Sequence, residues 1–296
     1  MKKNHHISGH SWQNILFICP ALTLFCIFTY YPLLCNLYYA LTSWDGVSKK
    51  KEFIGLDNFS NLFSDKLMLQ ALGNTIYFAV VLIIMGILLQ LGSALIIYSK
   101  PRGHKVIKCL LYLPAVLSPI VLSFTWIQFL QYTGYINQIL AFLDLAGIQK
   151  TWLKSEEFVK LWLCIIQSLQ FAGYGMIFFL TGLNGVPVEV YESAAIDGAS
   201  GWNKFRKITI PLIMPAITVT LFISITGALN TYAIPFALTG GGPNGASTTM
   251  TMQIYQRAFA FRQFGYASAL SIFFFVIIAA ISGIQLYLTR KKEVSY

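Results

Sequence analysis

The stretch YESAAIDGASGWNKFRKITIPL, Tyr191 to Leu212, interrupts a chain that is otherwise almost free of charge. It sets Glu192, Asp197, Lys204, Arg206 and Lys207 between long apolar runs, with small residues gathered around Gly198. Just upstream, Pro187 suits the first turn of a helix, and Glu189 puts a negative charge near its positive end. Tyr191 to Asp197 continues that helix. Ser193, Ala194 and Ala195 keep one face low, and Gly198 suits the left-handed residue that closes it. A second helix is expected from about Trp202, with Trp202, Phe205, Ile208 and Leu212 on one face at spacings of three and four. Lys204 and Lys207 take the other side, and Pro211 marks the bend where the next apolar run begins. A basic loop that merely anchors at lipid headgroups would share this charge. Such an anchor needs no alanine pair and no fixed glycine, whereas a docking surface for another protein uses both.

The flanking runs set the environment. Of 296 residues 56% are hydrophobic and 11% charged, with a mean hydropathy of +0.63. A soluble globule carries about 25% charged residues, so this composition points to a membrane protein. Cys19, Cys26, Cys35, Cys109 and Cys164 fall in or beside apolar runs. None has a metal-ligand or redox spacing, and they read as small buried hydrophobes. The net charge of +10 lies in short loops rather than in a stripe interleaved with aromatics, which excludes nucleic acid as a partner.

Six segments are long enough to span a bilayer, which takes about 20 apolar residues. They run from Asn14 to Leu41, Thr75 to Tyr98, Cys109 to Tyr132 (with Pro114 and Pro119 inside), Leu161 to Leu183, Leu212 to Leu238 and Ala267 to Thr289. The first is too long for a removable signal peptide and lacks a small-residue cleavage site. With the N-terminus inside, 12 of the 21 basic residues fall in short inner segments: Lys2, Lys3, Lys100, Arg102, Lys105, Lys108, Lys204, Arg206, Lys207, Arg290, Lys291 and Lys292. The other nine spread over longer outer stretches, so both termini and the Tyr191–Leu212 stretch are expected in the cytoplasm. The fold expected is an all-α integral membrane protein with six transmembrane helices. A cytoplasmic tail (1–13), a membrane domain (14–290, with the loop at 186–211) and a second tail (291–296) divide the chain. On the outer side, FIGLDNFSNLF (Phe53–Phe63) reads as an interfacial helix or turn, and LTGGGPNGAS (Leu238–Ser247) as a break no helix crosses. MTMQIYQRAFAFRQFGY, from Met250, reads as an amphipathic helix along the outer face.

The central stretch resembles a known family. Glu-Ala-Ala, three residues, Gly, nine residues and Ile-x-Leu-Pro mark the membrane subunits of binding-protein-dependent ABC importers, the MetI-like permeases. This chain reads Glu192-Ser193-Ala194, Gly198 and Ile208-Thr209-Ile210-Pro211, departing mildly at Ser193 and Ile210. FIGLDNFSNLF, ALGNTIYF, LTGGGPN and FGYASALS are similar to the carbohydrate branch, of maltose and glycerol-phosphate type, so the resemblance covers about residues 12 to 290.

The resemblance implies a coupling helix between spans four and five that fits a cleft on a cytoplasmic ATPase dimer. Its contact residues would be Glu192, Ser193, Ala194, Ala195, Asp197, Gly198, Ile208 and Pro211, with Glu192 facing an ATPase arginine. No G-x-x-x-x-G-K-[ST] phosphate loop occurs in the chain, in keeping with a non-catalytic subunit without a cofactor. Further implied partners are a second homologous permease, usually a different chain, and an extracellular or periplasmic solute-binding protein that delivers sugar. The location implied is the bacterial inner or plasma membrane. Polar and aromatic groups inside spans suit a sugar pathway, or else hydrogen bonds between helices. The fourth span offers Gln167, Gln170, Phe171 and Tyr174, the fifth Asn230, Thr231 and Tyr232, and the third Trp126, Gln128 and Gln131. By resemblance the binding positions fall in the middle of the fourth and fifth spans.

Three other readings stay open. An ABC permease for glycerol-3-phosphate would favour a cation in the pathway, and the spans hold essentially none. A secondary transporter acting alone would usually carry an intramembrane carboxylate, and none is visible. A membrane enzyme would need an acid–base pair or nucleophile constellation, which is absent. His5, His6 and His10 lack acidic partners, so no metal site is expected. Lys100, Arg102, Lys105 and Lys108 could bind anionic lipid, although membrane topology already explains them.

Overall fold

The computed structural model describes residues 11–293, so His5, His6, His10 and the outer parts of both expected tails lie outside the described residues. The described residues are helical apart from loops and one isolated bridge, Thr42 to Phe53. In chain order the helices are α1 (Ser11–Phe25), α2 (Tyr31–Ala40), α3 (Asp57–Leu62), α4 (Lys66–Tyr98) and α5 (His104–Val116). There follow α6 (Pro119–Leu130), α7 (Tyr135–Phe142), α8 (Glu156–Gly185), α9 (Val188–Ile196) and α10 (Gly201–Lys204). The last are α11 (Ile210–Leu212), α12 (Met214–Leu229), α13 (Ala233–Thr239), α14 (Met250–Tyr255) and α15 (Phe264–Arg290). By length and composition five helical stretches could cross a membrane, or six if the bent pair His104–Val116 and Pro119–Phe142 counts as one.

That bend corrects the continuous third span expected from the sequence. The two arms meet at 102°. Pro119 pushes Ser118 into an extended conformation (φ −58°, ψ 135°), as a proline does to its predecessor, and Leu117 is extended too. Pro114, by contrast, is carried inside α5. The fifth span is also broken. α12 stops at Leu229, Asn230 and Tyr232 leave helical geometry, and α13 resumes at Ala233. Two spans begin earlier than their apolar runs, at Lys66 and Glu156. Asp65 explains the first, because its carboxylate accepts from the backbone N–H of Leu67 at 3.0 Å and of Met68 at 3.3 Å.

The chain divides into two compact units, residues 1–64 with 254–273, and 65–253 with 274–296. In the first, α1 and α2 join through a π-turn, Cys26–Tyr30, and expose many large apolar side chains, Phe17 and Phe28 among them. Such surface belongs against lipid or another apolar partner. After α2 the chain is tied by buried Asn58, whose side-chain amide donates to the carbonyls of Ala40 and Thr42, each at 2.8 Å. The backbone N–H of Gly265 donates to the Trp44 carbonyl at 2.9 Å, and a side chain at Gly265 would overlap the Thr42 carbonyl. The FIGLDNFSNLF and FGYASALS stretches are thus parts of one small knot. The part of MTMQIYQRAFAFRQFGY in this unit begins at Ile254, at the end of α14, and continues as a π-turn over Gln256–Ala260.

In the second unit α8 is the axis. Gly173 receives the backbone of α5, since a Cβ there would lie 2.7 Å from the Leu111 carbonyl oxygen and 2.8 Å from Tyr112 Cα. Gly175 receives Gln90 of α4, and a Cβ on Gly182 would lie 2.6 Å from Ala216 Cβ of α12. The buried cluster of Ala94, Ile97, Met176, Phe179, Leu183, Val186 and Ile213 fills the space between these helices. Two further sequence stretches meet at one end of α4. Asn74, in ALGNTIYF, donates to the carbonyls of Gly245 at 2.8 Å and Thr248 at 3.0 Å, in the loop that follows LTGGGPN. The expectation of buried cysteines holds for Cys164 alone. Cys19, Cys26 and Cys109 are exposed and Cys35 half-exposed, because they sit on apolar helix faces that nothing in this chain covers.

Candidate functional site

Two places in the second unit gather the residues singled out from the sequence. The first is the 186–211 loop. Pro187 precedes α9 and Glu189 lies in its first turn. At the other end Gly198 N–H donates to the Ala195 carbonyl at 3.1 Å, and Ala199 N–H to the Ala194 carbonyl at 2.9 Å. This crossed pair closes a helix through one left-handed residue, and Gly198 takes that place with φ +77°. The direction of Gly198 in the chain reversal is therefore a property of its backbone. Nothing lies within 4 Å of where its Cβ would stand.

The loop divides by exposure. Glu192, Ser193, Ala195, Asp197 and Gly198 are exposed, Ala194 is buried, and Ile208 and Pro211 are half-buried. Tyr191 turns inward and packs on the cluster around Leu183 and Ile213. Lys204 Nζ stands 5.1 Å from the centre of the Tyr191 ring and links α10 to α9. Two large apolar side chains that the sequence reading did not assign to docking stand out, Ile196 at 87% and Trp202 at 68% exposure. Their signal was an isoleucine and a tryptophan beside charged residues, outside any span. The chain turns into the fifth span at Ile213, not at Pro211 as expected. Pro211 lacks an N–H, and the preceding turn widens into a π-turn over Phe205–Thr209 in which Ile210 N–H bonds the Phe205 carbonyl.

The second place is a cavity of about 350 Å³ between α4, α8, α12 and α13. All seven pathway residues named from the sequence line it: Gln167, Gln170, Phe171, Tyr174, Asn230, Thr231 and Tyr232. The break between α12 and α13 carries three of them. There the Gln167 amide donates to the Thr231 hydroxyl, and Thr249 Oγ1 donates to the Thr231 carbonyl at 2.7 Å. Asn230 Nδ2 donates back to the Thr226 carbonyl at 2.9 Å. Non-helical backbone at membrane depth is tolerated where it lines a cavity, as here. The third-span group lies elsewhere. Trp126 packs on Trp162 at 6.0 Å, and Gln131 donates to Gln128 at 2.8 Å.

The structure adds Gln90, Ser168, Thr220 and Ser224 to the lining. Gln90 is 5% exposed and donates to the Phe171 carbonyl at 3.4 Å, while its Oε1 accepts no hydrogen bond from the described residues. Gln170 donates to the Leu117 carbonyl at 3.2 Å and leaves its own oxygen unpartnered, and so does the Ser168 hydroxyl. Gln90 had a legible signal, the one amide in the run VLIIMGILLQL. Among the described residues, no Asp, Glu, Lys, Arg or His lines the cavity. Among the described residues no group of three metal-ligating side chains is present.

Residues 83–294 match the model of the family described as binding-protein-dependent transport system inner membrane component. The chain belongs to that family. It is the membrane permease subunit of an ABC importer, and ATP hydrolysis falls to a partner ATPase. A probable starch degradation products transport system permease protein of Thermoanaerobacterium thermosulfurigenes is 32% identical over 94% of this chain and 94% of its own length. A multiple sugar-binding transport system permease protein of Streptococcus mutans is 31% identical over 96% of this chain and 97% of its own. The fold matches a chain of a bacterial alginate ABC transporter, solved with a pentasaccharide-bound periplasmic protein. The TM-score is 0.84 at 23% identity, over 96% of this chain and 98% of that one.

Proposed function

We propose that this permease carries a neutral saccharide, delivered by an extracellular or periplasmic solute-binding protein, through the cavity between α4, α8 and α12. One observation carries the reading: three glutamines, an asparagine, hydroxyls and aromatic faces line a single cavity that no charged side chain enters. Amides bond sugar hydroxyls, and aromatic rings offer the apolar faces on which pyranose rings rest. The sugar-related names of the two relatives support the same class. Glycerol-3-phosphate fits less well, because a phosphate entering this cavity would meet no cation.

In this reading the bent α5–α6 pair is one span, giving six, with both termini in the cytoplasm. The membrane domain occupies 14–290, and the membrane is a bacterial inner or plasma membrane. α9 and its turn form the coupling loop, with Glu192, Ser193, Ala194, Ala195, Asp197, Gly198, Ile208 and Pro211 meeting an ATPase dimer. The exposure of Glu192, Ile196 and Trp202 supports that role. A second homologous permease, usually a different chain, completes the membrane part.

Reconstitution in proteoliposomes with the cognate ATPase and binding protein tests this. ATP-dependent uptake of neutral saccharides is expected, with Gln170→Ala or Asn230→Ala lowering it at unchanged binding-protein affinity. Uptake of glycerol-3-phosphate but of no neutral saccharide would overturn the reading.

A further inference from the structure

The α5 helix presents a face that the transport reading leaves unused. Its inner side, Ile107, Leu111 and Ala115, packs toward α8, where Gly173 admits the α5 backbone. Its outer side is bare, with Val106, Leu110, Leu113 and Val116 all more than half exposed. Four bases stand at its start. Lys100, Arg102, Lys105 and Lys108 are all exposed, and no ion pair is found for any of them among the described residues. The turn that displays them is built, with Lys100 at φ 51°, Gly103 at φ 81° and the His104 ring nitrogen 3.2 Å from the Pro101 carbonyl.

This charge opposes the helix. An N-terminus carries a partial positive charge and favours anions, yet α5 begins with cations only. No acid in the neighbouring sequence offsets them, since residues 66 to 143 contain neither Asp nor Glu. An anion from outside the chain would relieve both repulsions. The anion must come with hydrocarbon, because the bases pass within one turn into the exposed Val106–Leu110–Leu113 stripe. A soluble phosphate would answer the charge without engaging that stripe, which in a membrane span faces acyl chains.

We propose that the outer face of α5 with the Lys100–Gly103 turn is a docking surface for anionic phospholipid, its bases on the headgroup phosphate and its stripe on the acyl chains. Topology requires only that bases be on one side of the membrane. This surface makes the stronger demand that anionic lipid be held at α5 in preference to zwitterionic lipid.

The test uses the purified permease complex and native mass spectrometry, with phosphatidylglycerol or phosphatidylcholine added. Phosphatidylglycerol should be retained preferentially, with roughly a fivefold loss of preference for each base neutralised in Arg102→Gln, Lys105→Gln and Lys108→Gln. Neutralising Arg290, Lys291 and Lys292, an equal charge at the end of α15, should leave most of the preference in place. Equal losses in the two triple variants would reduce the effect to net charge and overturn the proposal. Displacement of phosphatidylglycerol by inorganic phosphate would overturn it as well. Should the α5 variant not assemble, the wild-type measurement still decides, because equal retention of both lipids contradicts the proposal.

Discussion

The side-chain amide of Gln90 lies directly against the bare Cα of Gly175, where a methyl group would overlap it. Both residues line the same cavity, and among the described residues the only hydrogen bond of that amide is the 3.4 Å contact to the Phe171 carbonyl. Gly175 thus sets where a wall of the cavity stands.

Gly175→Ala should push the Gln90 amide off its seat. Overpacking of this kind costs about 1–3 kcal/mol. A lower melting temperature in detergent and weaker uptake are expected. Gln90→Ala in the same chain should restore part of both by removing the overlapping group. A Gly175→Ala protein that melts and transports like the wild type would show that the contact imposes no constraint.

At the coupling loop, two kinds of change at Gly198 should separate. Gly198→Ala meets no neighbour and strains only the left-handed backbone, at about 1–2 kcal/mol. It should destabilise α9 slightly while the ATPase still co-purifies. Gly198→Trp and Glu192→Lys should release the ATPase or abolish uptake, with the binding protein still holding its sugar. Retention of the ATPase and of transport in both would remove α9 from the coupling role.

In the first unit, Asn58→Ala leaves two buried carbonyls, of Ala40 and Thr42, without their shared donor. Loss of a partner from a buried polar group costs about 1–3 kcal/mol. The change should raise hydrogen exchange at Ser43 and Ile54, whose N–H groups bond across the same loop. Gly265→Ala should be worse, because its methyl group meets the Thr42 backbone rather than a side chain that can swing away. Unchanged exchange in Asn58→Ala would mean that the bridge holds the loop unaided.

The loop after α2 also has a pH dependence. Asp45 accepts from Ser48 N–H at 2.8 Å and Val47 N–H at 3.0 Å, and these bonds, Ser48 first, hold its carboxyl down to about 2. A depressed value means that the carboxylate's contribution is complete above the ordinary aspartate range, near 3.9. It is lost as pH falls through that range toward 2. Protease nicking at residues 45 to 50 should therefore stay flat from pH 7 to 5, and rise only in strong acid when probed with an acid-stable protease. Asp45→Ala should be nicked faster from pH 7 to 5, with the difference closing in strong acid. Equal nicking of the two proteins at pH 7 would contradict this account.

Much of this structure is legible in the chain because bilayer spans announce themselves by length and apolarity, as in the run before Tyr98. The helix-turn at Gly198 is legible for a local reason, since a left-handed closing residue leaves few choices. The breaks are harder to read. Pro119 signals a disturbance but not whether the span kinks mildly or turns by 102°. The interruption at Asn230–Tyr232 carries no proline or glycine, and depends on Gln167 and Thr249, distant in sequence, bonding Thr231. All seven pathway residues line one cavity because polar groups in apolar helices must meet partners. Gln90 obeys the same rule, but it lies in the second span, while the sequence reading looked to the third, fourth and fifth. The early starts at Lys66 and Glu156 lie beyond the apolar windows, and the first follows from the Asp65 cap, a polar signal that apolarity does not count.

Three of the four glycines of α8 have a mechanical consequence. Interlocked side chains resist sliding, because knobs must leave their holes before a helix can move along its neighbour. At Gly173, Gly175 and Gly182 three different neighbours rest on bare backbone instead. α8 then acts as a common bearing on which α4, α5 and α12 can shift by small steps while staying in contact. A tilt of α8 would press on all three at once, and of these α4 and α12 are walls of the cavity.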